Sequence, residues 1–299
     1  MNEKPLFSII IPTYNGEKTI GKLLKKITLL KNNYSTEVII IDSQSKDKTL
    51  SIVKKFKNKL NLKIHQIKKD EFNHGLTRNY GVYLSKGKFI WFLSQDAIPI
   101  SKNILNYYLE DFSLNKKVVV VFGEHIPYFK TPLIQKVEIQ CYWEKLNKLT
   151  DKKKLLICNG ELIDKSKKKD EMRIRLSNVS AVYKKNFLLK YPFPTIKTGE
   201  DMVLGKRIID LGLIKIYDRR CAVYHSHFFN IWDYYKRESE VLNLRLNILK
   251  DVEKINLLCK LRKIMSLSIN PFSKTYYLVE LFFYYLLKAL IVFKLRFFK

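Results

Sequence analysis

In the amino-terminal third of the chain, short apolar runs alternate with segments whose apolar residues are three and four positions apart. The run from Phe7 to Ile11 is bounded by Pro12 and predicts a buried strand. Apolar residues three and four apart predict a helix from about Glu17 to Leu30. A second apolar run, EVIII, predicts a strand that ends at Asp42.

The same alternation continues as far as Asp96. Ser45 is expected to cap a helix that reaches about Phe56, and Leu62 to Gln66 is expected to form a third strand. A helix from about Leu76 to Ser85 leads into a fourth strand, KFIWFLS. This order predicts an α/β fold with a mainly parallel sheet covered by helices on both faces.

Beyond residue 100 the pattern is less regular. A strand is predicted from Val118 to Phe122 and helix around Pro132 to Leu149. A lysine-rich stretch follows from Asp151 to Arg175, and its run Lys165 to Lys169 is expected to be an exposed loop.

The carboxyl-terminal stretch from Tyr276 to Phe293 is apolar but holds only 18 residues, at the lower limit for a membrane span. Its polar members Glu280, Tyr284 and Lys288 are spaced by four and share one helical face. An interfacial membrane helix fits this pattern better than a span, with a basic end formed by Lys294, Arg296 and Lys299. The alternative is a helix packed on the protein's own core.

The chain is strongly basic, with 56 Lys and Arg against 28 Asp and Glu and a formal net charge of +28. Such a charge attracts nucleic acid, anionic lipid or phosphorylated substrates, although scattered lysines also occur simply as solvated helix faces. The four cysteines form no C-x-x-C pair, so free thiols are expected. The amino terminus shows no secretory signal pattern, which predicts a cytoplasmic protein.

Polar residues follow three of the predicted strands. They are Thr13 to Asn15, Asp42 with Ser43, and Gln95 with Asp96. In open α/β sheets ligands bind beyond the carboxyl ends of the strands, so these residues are the first candidates for a site. Asp96 is either a turn former or a ligand for a divalent cation that neutralises a diphosphate.

Two later segments also carry candidate chemistry. Glu200 and Asp201 begin an amphipathic helix, where carboxylates either interact with the helix dipole or supply a general base. His225 and His227 face the same way if VYHSH is extended, so they either complete a metal site or are ordinary structural residues.

Arg78 in HGLTRNYG offers a bidentate phosphate donor, with an exposed salt bridge as the competing interpretation. The sequence contains neither a G-x-G-x-x-G motif after the first strand nor a P-loop. These absences argue against a dinucleotide dehydrogenase and a P-loop enzyme.

Taken together, seven segments resemble the inverting family-2 glycosyltransferases, which have the GT-A fold. In chain order they are FSIIIPTYNGEKTI, EVIIIDSQSKDKT, FNHGLTRNYGV, KFIWFLSQDAIP, LSNVSAVYKK, GEDMVLGKRIIDLG and VYHSHFFNIWDYYKR. The resemblance implies a GT-A domain over residues 1–240, with a nucleotide-binding half to about residue 122 and an acceptor half after it. The resemblance leaves the tail uncovered, and the apolar pattern of residues 241–299 predicts a helical tail associated with a membrane surface.

The resemblance also implies a hexosyltransferase and a role for each matching residue. Asp201 would be the catalytic base, while Asp96, with His225 or His227, would hold Mg or Mn. The residues implied to bind the donor or substrate are Pro12, Thr13, Tyr14, Glu17, Asp42, Arg78, Gln95 and Glu200, the first five of them around the base and ribose and Arg78 near the diphosphate.

One departure concerns the family's D-x-D motif, which is here Ser94-Gln95-Asp96. This variant, with FNHGLTRN, resembles the rhamnosyltransferase branch and suggests dTDP-rhamnose, or otherwise a UDP-sugar, as the donor. A saccharide or lipid-linked acceptor at the inner face of the cell membrane would place the protein in cell-surface polysaccharide or glycolipid synthesis.

Two other functions compete with this one. A nucleic-acid-binding protein would explain the charge but not the carboxylates after the strands, so no nucleic acid is expected as a partner. A catalytically silent homologue that holds a donor or a partner enzyme is the second alternative, because the D-x-D motif is incomplete.

Overall fold

The computed structural model describes residues 4–31, 34–149, 156–157, 174–227, 231–249 and 257–297. The expected lysine-rich loop Lys165 to Lys169 and the thiol of Cys158 lie outside these residues. Cys141 and Cys221 are buried free thiols, as expected.

Eleven strands are present in the described residues. They are β1 Phe7–Thr13, β2 Thr36–Asp42, β3 Leu62–Gln66, β4 Phe89–Leu93, β5 Ile98–Pro99, β6 Val118–Phe122, β7 His125–Ile126, β8 Leu156–Ile157, β9 Ser180–Lys184, β10 Ile214–Tyr217 and β11 Val223–Tyr224.

Ten α-helices accompany these strands in the same ranges. They are α1 Ile20–Ile27, α2 Thr49–Lys54, α3 His74–Leu84, α4 Ile104–Leu114, α5 Leu133–Leu149, α6 Lys185–Lys190, α7 Glu200–Asp210, α8 Ile231–Leu249, α9 Leu257–Met265 and α10 Pro271–Phe297. A short 3₁₀ turn covers Arg219–Cys221.

The predicted mainly parallel sheet is confirmed, with eight strands in the order β3-β2-β1-β4-β9-β6-β10-β8. β3, β2, β1 and β4 are mutually parallel, and β10 is parallel to β6. β9 is antiparallel to both β4 and β6, and β8 is antiparallel to β10. A smaller sheet has the order β5-β11-β7.

Helices cover both faces of the parallel strands, which explains why these strands are continuous apolar runs. Ile9 and Ile11 belong to the core that α1 completes with Ile20, Leu23, Leu24 and Ile27. On the opposite face α3 approaches closely, because a Cβ at Gly81 would lie 2.6 Å from Ile10 Cγ2. The sheet is therefore the middle layer of this part of the chain.

Several predicted elements agree with the structure, and one is wrong. The strands at Leu62–Gln66 and Val118–Phe122 have the predicted bounds, and α5 lies where a helix was expected. Ser45 does not cap α2, which begins at Thr49 after Lys48. Its hydroxyl instead donates to Asp42, because the loop between β2 and α2 is organised around that carboxylate.

The chain divides into two compact units. The first comprises Met1–His125 and Leu149–His225, and it contains all the strands named above except Ile126 of β7. The second comprises Ile126–Lys148 and Ser226–Lys299, so it takes in α8, α9 and α10 together with most of α5. Its apolar core contains Ile134, Val137, Cys141, Tyr234, Ile264, Leu281 and Tyr284.

Candidate active site

The polar residues that follow the strands meet at one edge of the large sheet. Thr13 lies opposite Asp42 in the parallel pair β1–β2, and β4 runs parallel to β1. β9 is antiparallel to β4, with Leu93 opposite Ser180, so the segment before β9 reaches the same edge. The ends of β1, β2 and β4 and the start of β9 therefore border the candidate site.

Asp42 joins the loops after β1 and β2. Its buried carboxylate accepts hydrogen bonds from the Ser45 amide at 3.0 Å and from the Ser45 hydroxyl at 2.6 Å. The hydroxyl of Thr13 donates to the same carboxylate at 3.3 Å. A buried carboxylate with this many donors fixes the backbone around it.

Two residues other than glycine adopt left-handed backbone conformations beside Asp42. They are Asn15, with φ 45°, and Gln44, with φ 57°. The Asn15 amide donates to Ser45 Oγ at 2.9 Å, and its side chain accepts from the Lys46 amide at 2.9 Å. Strained residues of this kind concentrate at functional sites. Hydrophobic periodicity gives no signal for either residue, although Asn-Gly is a turn signal.

Glu17 and Tyr14 also lie in these loops. The Glu17 carboxylate accepts from the Lys48 amide at 3.0 Å and so ties the first loop to the start of α2. Pro12 and Tyr14 are both partly exposed, and Lys69 Nζ lies 5.0 Å from the ring centre of Tyr14. A hydrogen bond to Lys69 lowers the pKa of Tyr14.

Gln95 holds the loop after β1 from the neighbouring strand. Its Oε1 accepts from the Tyr14 amide at 3.1 Å, and its Nε2 donates to the Tyr14 carbonyl at 3.0 Å. Gly16 leaves room for this pairing, since a Cβ there would lie 2.4 Å from Gln95 Oε1. A carboxylate accepts hydrogen bonds only, so an ionised acid could not make both contacts.

Asp96 and His225 come together through the pairing of β5 with β11. Val223 lies opposite Pro99 and Tyr224 opposite Ile98, so the next residue in register, His225, reaches the turn that holds Asp96. His225 Nε2 lies 3.5 Å from Asp96 Oδ1. His225 is buried, whereas the Asp96 side chain keeps 21% of its surface exposed. A carboxylate oxygen is a suitable ligand for Mn²⁺ or Mg²⁺, and an imidazole nitrogen beside it favours a transition metal such as Mn²⁺ over Mg²⁺.

The ring of His125 lies 5.2 Å from that of His225 in a favourable edge-to-face arrangement. His125 was not singled out from the sequence, because nothing in the spacing of the histidines relates residues 100 positions apart. His227 follows His225 by two residues and belongs to the second unit.

Asp201 lies at the start of α7, after Gly199 with φ 77°. Its carboxylate accepts from the Met202 amide at 2.8 Å and from the Asn178 amide at 3.3 Å. Burial and the neighbouring Glu200 carboxylate raise the pKa of Asp201 to about 7. Since Asn178 lies just before β9, Asp201 is held at the sheet edge described above.

Arg78 and Asn178 surround Glu200. Arg78 Nη1 donates to Glu200 Oε1 at 2.8 Å, and Asn178 Nδ2 donates to the same oxygen at 3.1 Å. Burial favours the neutral form of Glu200, but the charges of Arg78 and His74 prevail and lower its pKa. The structure thus places the buried guanidinium of Arg78 in the acidic cluster around Asp201.

Sequence reasoning assigned no role to Asn178, although its segment LSNVSAVYKK was noted. The Tyr183 hydroxyl donates to Asn178 Oδ1 at 2.6 Å, which orients the amide so that its nitrogen faces Glu200. An asparagine directly before a buried strand is the one signal that could have indicated it.

The sequence profile of Glycosyl transferase family 2 matches residues 8–163. The chain is 30% identical to the O-antigen chain rhamnosyltransferase WbaN of Salmonella anatum over 231 residues. The aligned region covers 75% of this chain and 67% of WbaN. These matches confirm the resemblance inferred from the seven segments.

A second relative is the poly(ribitol-phosphate) beta-N-acetylglucosaminyltransferase TarS of Staphylococcus aureus. The two chains are 41% identical over 93 residues, which is 30% of this chain and only 16% of TarS. The structure of TarS residues 1–349 with UDP-GlcNAc has a TM-score of 0.57 at 21% identity and covers 92% of this chain and 71% of that one.

The mannosyltransferase PcManGT of Pyrobaculum calidifontis, solved with GDP-Man and Mn²⁺, also has this fold. Its TM-score is 0.64 at 14% identity, with 100% of this chain and 89% of that chain covered. The likeness to both structures confirms the predicted GT-A fold.

Proposed function

Because this chain belongs to glycosyltransferase family 2, we propose that it is an inverting hexosyltransferase that moves a sugar from a nucleotide-diphosphate sugar to a hydroxyl acceptor. One observation carries the proposal: Asp201, with a pKa of about 7, is held by Asn178 at the sheet edge where the Asp96–His225 pair also lies. A carboxylate with this pKa is partly ionised at neutral pH and suited to accept a proton.

The loops after β1 and β2 are proposed to hold the donor's base and ribose. Pro12, Thr13, Tyr14 and Glu17 line or brace the first loop, and Asp42 fixes both loops. Arg78 is proposed to contribute positive charge on the diphosphate side, and Glu200 holds that charge in place at 2.8 Å. Gln95 acts on the donor indirectly through the backbone of Tyr14.

Asp96 and His225 are the proposed ligands of a divalent cation, because a carboxylate and an imidazole 3.5 Å apart fit such an ion. When bound, Mg or Mn would neutralise charge on the leaving diphosphate. His227 stays a predicted ligand. Asp96 is partly exposed, so its carboxylate is open to solvent and to a ligand.

The proposed transfer is a single displacement. Asp201 takes the proton of the acceptor hydroxyl while the hydroxyl oxygen bonds to the anomeric carbon. The bond from that carbon to the nucleotide diphosphate breaks on the opposite face, so the configuration inverts. The rate enhancement then comes from orientation and from charge held in place.

We further propose rhamnose, carried as dTDP-rhamnose, as the transferred sugar. The rhamnosyltransferase WbaN is similar along 75% of this chain, and the Ser94-Gln95-Asp96 variant supports the same branch. A UDP-sugar is the competing donor, since TarS was solved with UDP-GlcNAc. The acceptor is proposed to be a saccharide or lipid-linked saccharide of a cell-surface polymer, reached at the cytoplasmic face of the membrane.

Calorimetry with a panel of nucleotide sugars, with and without manganese, tests this function. We expect one donor, dTDP-rhamnose, to bind with a manganese-dependent affinity. Asp96→Ala should remove the manganese dependence, whereas Asp210→Ala, at the exposed end of α7, should keep it. No binding to any donor would overturn the proposal in favour of a silent homologue that only holds a partner enzyme.

A further inference from the structure

Helix α10 has the reverse of the polarity expected for a surface helix. It spans 27 residues from Pro271 to Phe297. One of its charged residues, Lys288, faces into the second unit, whereas a row of large apolar side chains points to solvent. In a water-soluble helix the apolar side faces the core and the charges face outwards.

The inward face of α10 is fixed by ion pairs. Lys288 Nζ lies 3.3 Å from Glu138 Oε1 on α5 and 3.1 Å from Glu238 Oε2 on α8. Glu138 also pairs with Lys260 of α9 at 2.6 Å. These contacts connect four helices of one unit, so they hold α10 in a single rotation about its axis. Tyr284 and Leu281 pack on the same inward side.

The outward face of α10 is a continuous apolar stripe. Its residues recur at intervals of three, four and seven, which places them along one side of the helix. They are Phe272, Tyr276, Val279, Phe282, Phe283, Leu286, Leu290 and Phe293, each at least 45% exposed. The segment Pro271–Lys294 has a mean hydropathy of 1.6 in its most apolar window, and only 11% of that window is buried.

We infer that this outward stripe of α10 docks the second unit onto an anionic lipid bilayer, with the helix lying in the plane of the interface. An exposed apolar stripe of this length indicates a partner. The chain's net charge of +28 complements acidic headgroups, and the unit exposes basic side chains at Arg262 of α9 and Lys294 of α10. A second copy of the chain carries the same charge, so repulsion opposes self-association through this face.

A membrane span is disfavoured by the same contacts. To cross a bilayer, α10 would have to carry Lys288 away from Glu138 and Glu238 into hydrocarbon. An in-plane helix keeps these ion pairs and buries only the stripe. Lipid docking deepens the proposed function by supplying the surface for a lipid-linked acceptor, but it is measured without donor or acceptor, so the two proposals fail independently.

Sedimentation with vesicles tests the docking. The full chain should sediment with vesicles of phosphatidylcholine and phosphatidylglycerol, and Phe282→Ser with Phe283→Ser should weaken partitioning on the order of tenfold or more. Phe129→Ser is the matched control, because Phe129 is 93% exposed in the second unit but lies outside α10. Equal loss in the control, or no loss in the double variant, would overturn the inference.

A second measurement separates an in-plane helix from a span and from a dimer. Phe272→Cys, Phe283→Cys and Phe293→Cys are labelled with bimane in a chain with Cys158→Ser and Cys259→Ser, while Cys141 and Cys221 stay buried. Lipid-borne quenchers should report similar shallow depths at all three positions. A deep central label with shallow ends would indicate a span, and a dimer in solution that the double serine variant abolishes would indicate a second copy; either result contradicts the inference.

Discussion

The charge of Asp201 depends on its neighbours, and so should the activity. Burial and Glu200 raise the pKa of Asp201 to about 7, while the charge of Arg78 opposes them. A base must be deprotonated, so kcat/KM should rise with pH through about 7. Glu200→Gln removes the repelling carboxylate, lowers the pKa of Asp201 and should shift this ascending limb to lower pH. A limb that stays in place in the variant would contradict the assignment of the base.

Replacing the base separates a catalytic role of Asp201 from a role in donor binding. Asp201→Asn should lower kcat by about 10³-fold, within the usual range for a general base, and leave donor affinity nearly unchanged in calorimetry. Asp210→Asn on the same helix is the control and should keep full activity, since its carboxylate is exposed. Comparable loss of donor affinity in Asp201→Asn would show that the residue binds the donor instead.

The raised pKa of Asp201 also makes the stability of the folded protein depend on pH. Between its ordinary value of 3.8 and about 7, Asp201 binds more proton in the folded protein than in the unfolded chain. Stability therefore falls as pH rises through this window, and the cost remains above it. Urea unfolding should show that Asp201→Asn lessens this fall, whereas Asp210→Asn follows the parent protein.

Gln95 both accepts a hydrogen bond from Tyr14 and donates one to it, and we expect donor binding to depend on both bonds. Gln95→Glu keeps the size of the side chain but loses donation to the Tyr14 carbonyl and places a negative charge beside it. The loop after β1 should loosen, with donor affinity lowered about tenfold, the equivalent of one hydrogen bond of ~1.4 kcal/mol. Calorimetry at fixed manganese measures this change. Gln140→Glu makes the same chemical change at an exposed position of α5 and should leave the donor affinity unchanged.

At the scale of elements, the stability of the helical unit should depend on Glu138. Burial favours its neutral form, but Lys288 and Lys260 lower its pKa to about 2. The lowered pKa contributes stability above the ordinary value of 4.5, which is lost as pH falls towards 2. Glu138→Gln should cost about 2 kcal/mol, below the usual loss for a fully buried pair because these side chains are partly exposed.

Urea unfolding followed by tryptophan fluorescence, to which the buried Trp143 of α5 contributes, would report this loss. Glu144→Gln is the matched control on the same helix. Its carboxylate lies 3.2 Å from Lys263, but both side chains are about 30% exposed, so the variant should lose far less stability. Equal losses in the two variants would show that the ion cluster around Lys288 has no special role.

Elements with regular periodicity were predictable from the sequence, and those defined by long-range contacts were not. β3 and β6 have their predicted bounds because continuous apolar runs bounded by polar residues indicate buried strands. The antiparallel direction of β9 depends on pairing with β4 and β6, which local pattern does not encode. Ser45 was misassigned because a cap and a carboxylate-bound loop serine have the same local sequence.

The residues of the candidate site also divide into those that local pattern predicts and those that only long-range contacts define. The carboxylates that follow strands were found because parallel topology gathers strand ends at one edge. The two histidines of VYHSH were found because residues two apart face the same way in an extended segment. The pairing of Arg78 with Glu200, 122 residues away, was not found, because only the packing of α3 against the segment before α7 brings them together. Asn178 was missed for the same reason, since its partners Glu200 and Asp201 lie more than 20 residues along the chain.

At the scale of the whole molecule, charge and apolar surface should contribute separately to lipid binding. The net charge of +28 acts over roughly one Debye length, about 8–10 Å at physiological salt, whereas contact of the α10 stripe with lipid does not depend on salt. Binding to acidic vesicles should therefore weaken between about 0.1 and 1 M NaCl without disappearing.

The Phe282→Ser and Phe283→Ser variant distinguishes the two contributions. It keeps the full net charge, so it should still bind acidic vesicles at low salt and lose that binding at about 1 M NaCl, where screening reaches ~3 Å. The parent chain should retain bound protein at the same salt through its apolar stripe. If both proteins dissociate alike, lysine charge alone attracts the protein to lipid, and the outward face of α10 must have another partner.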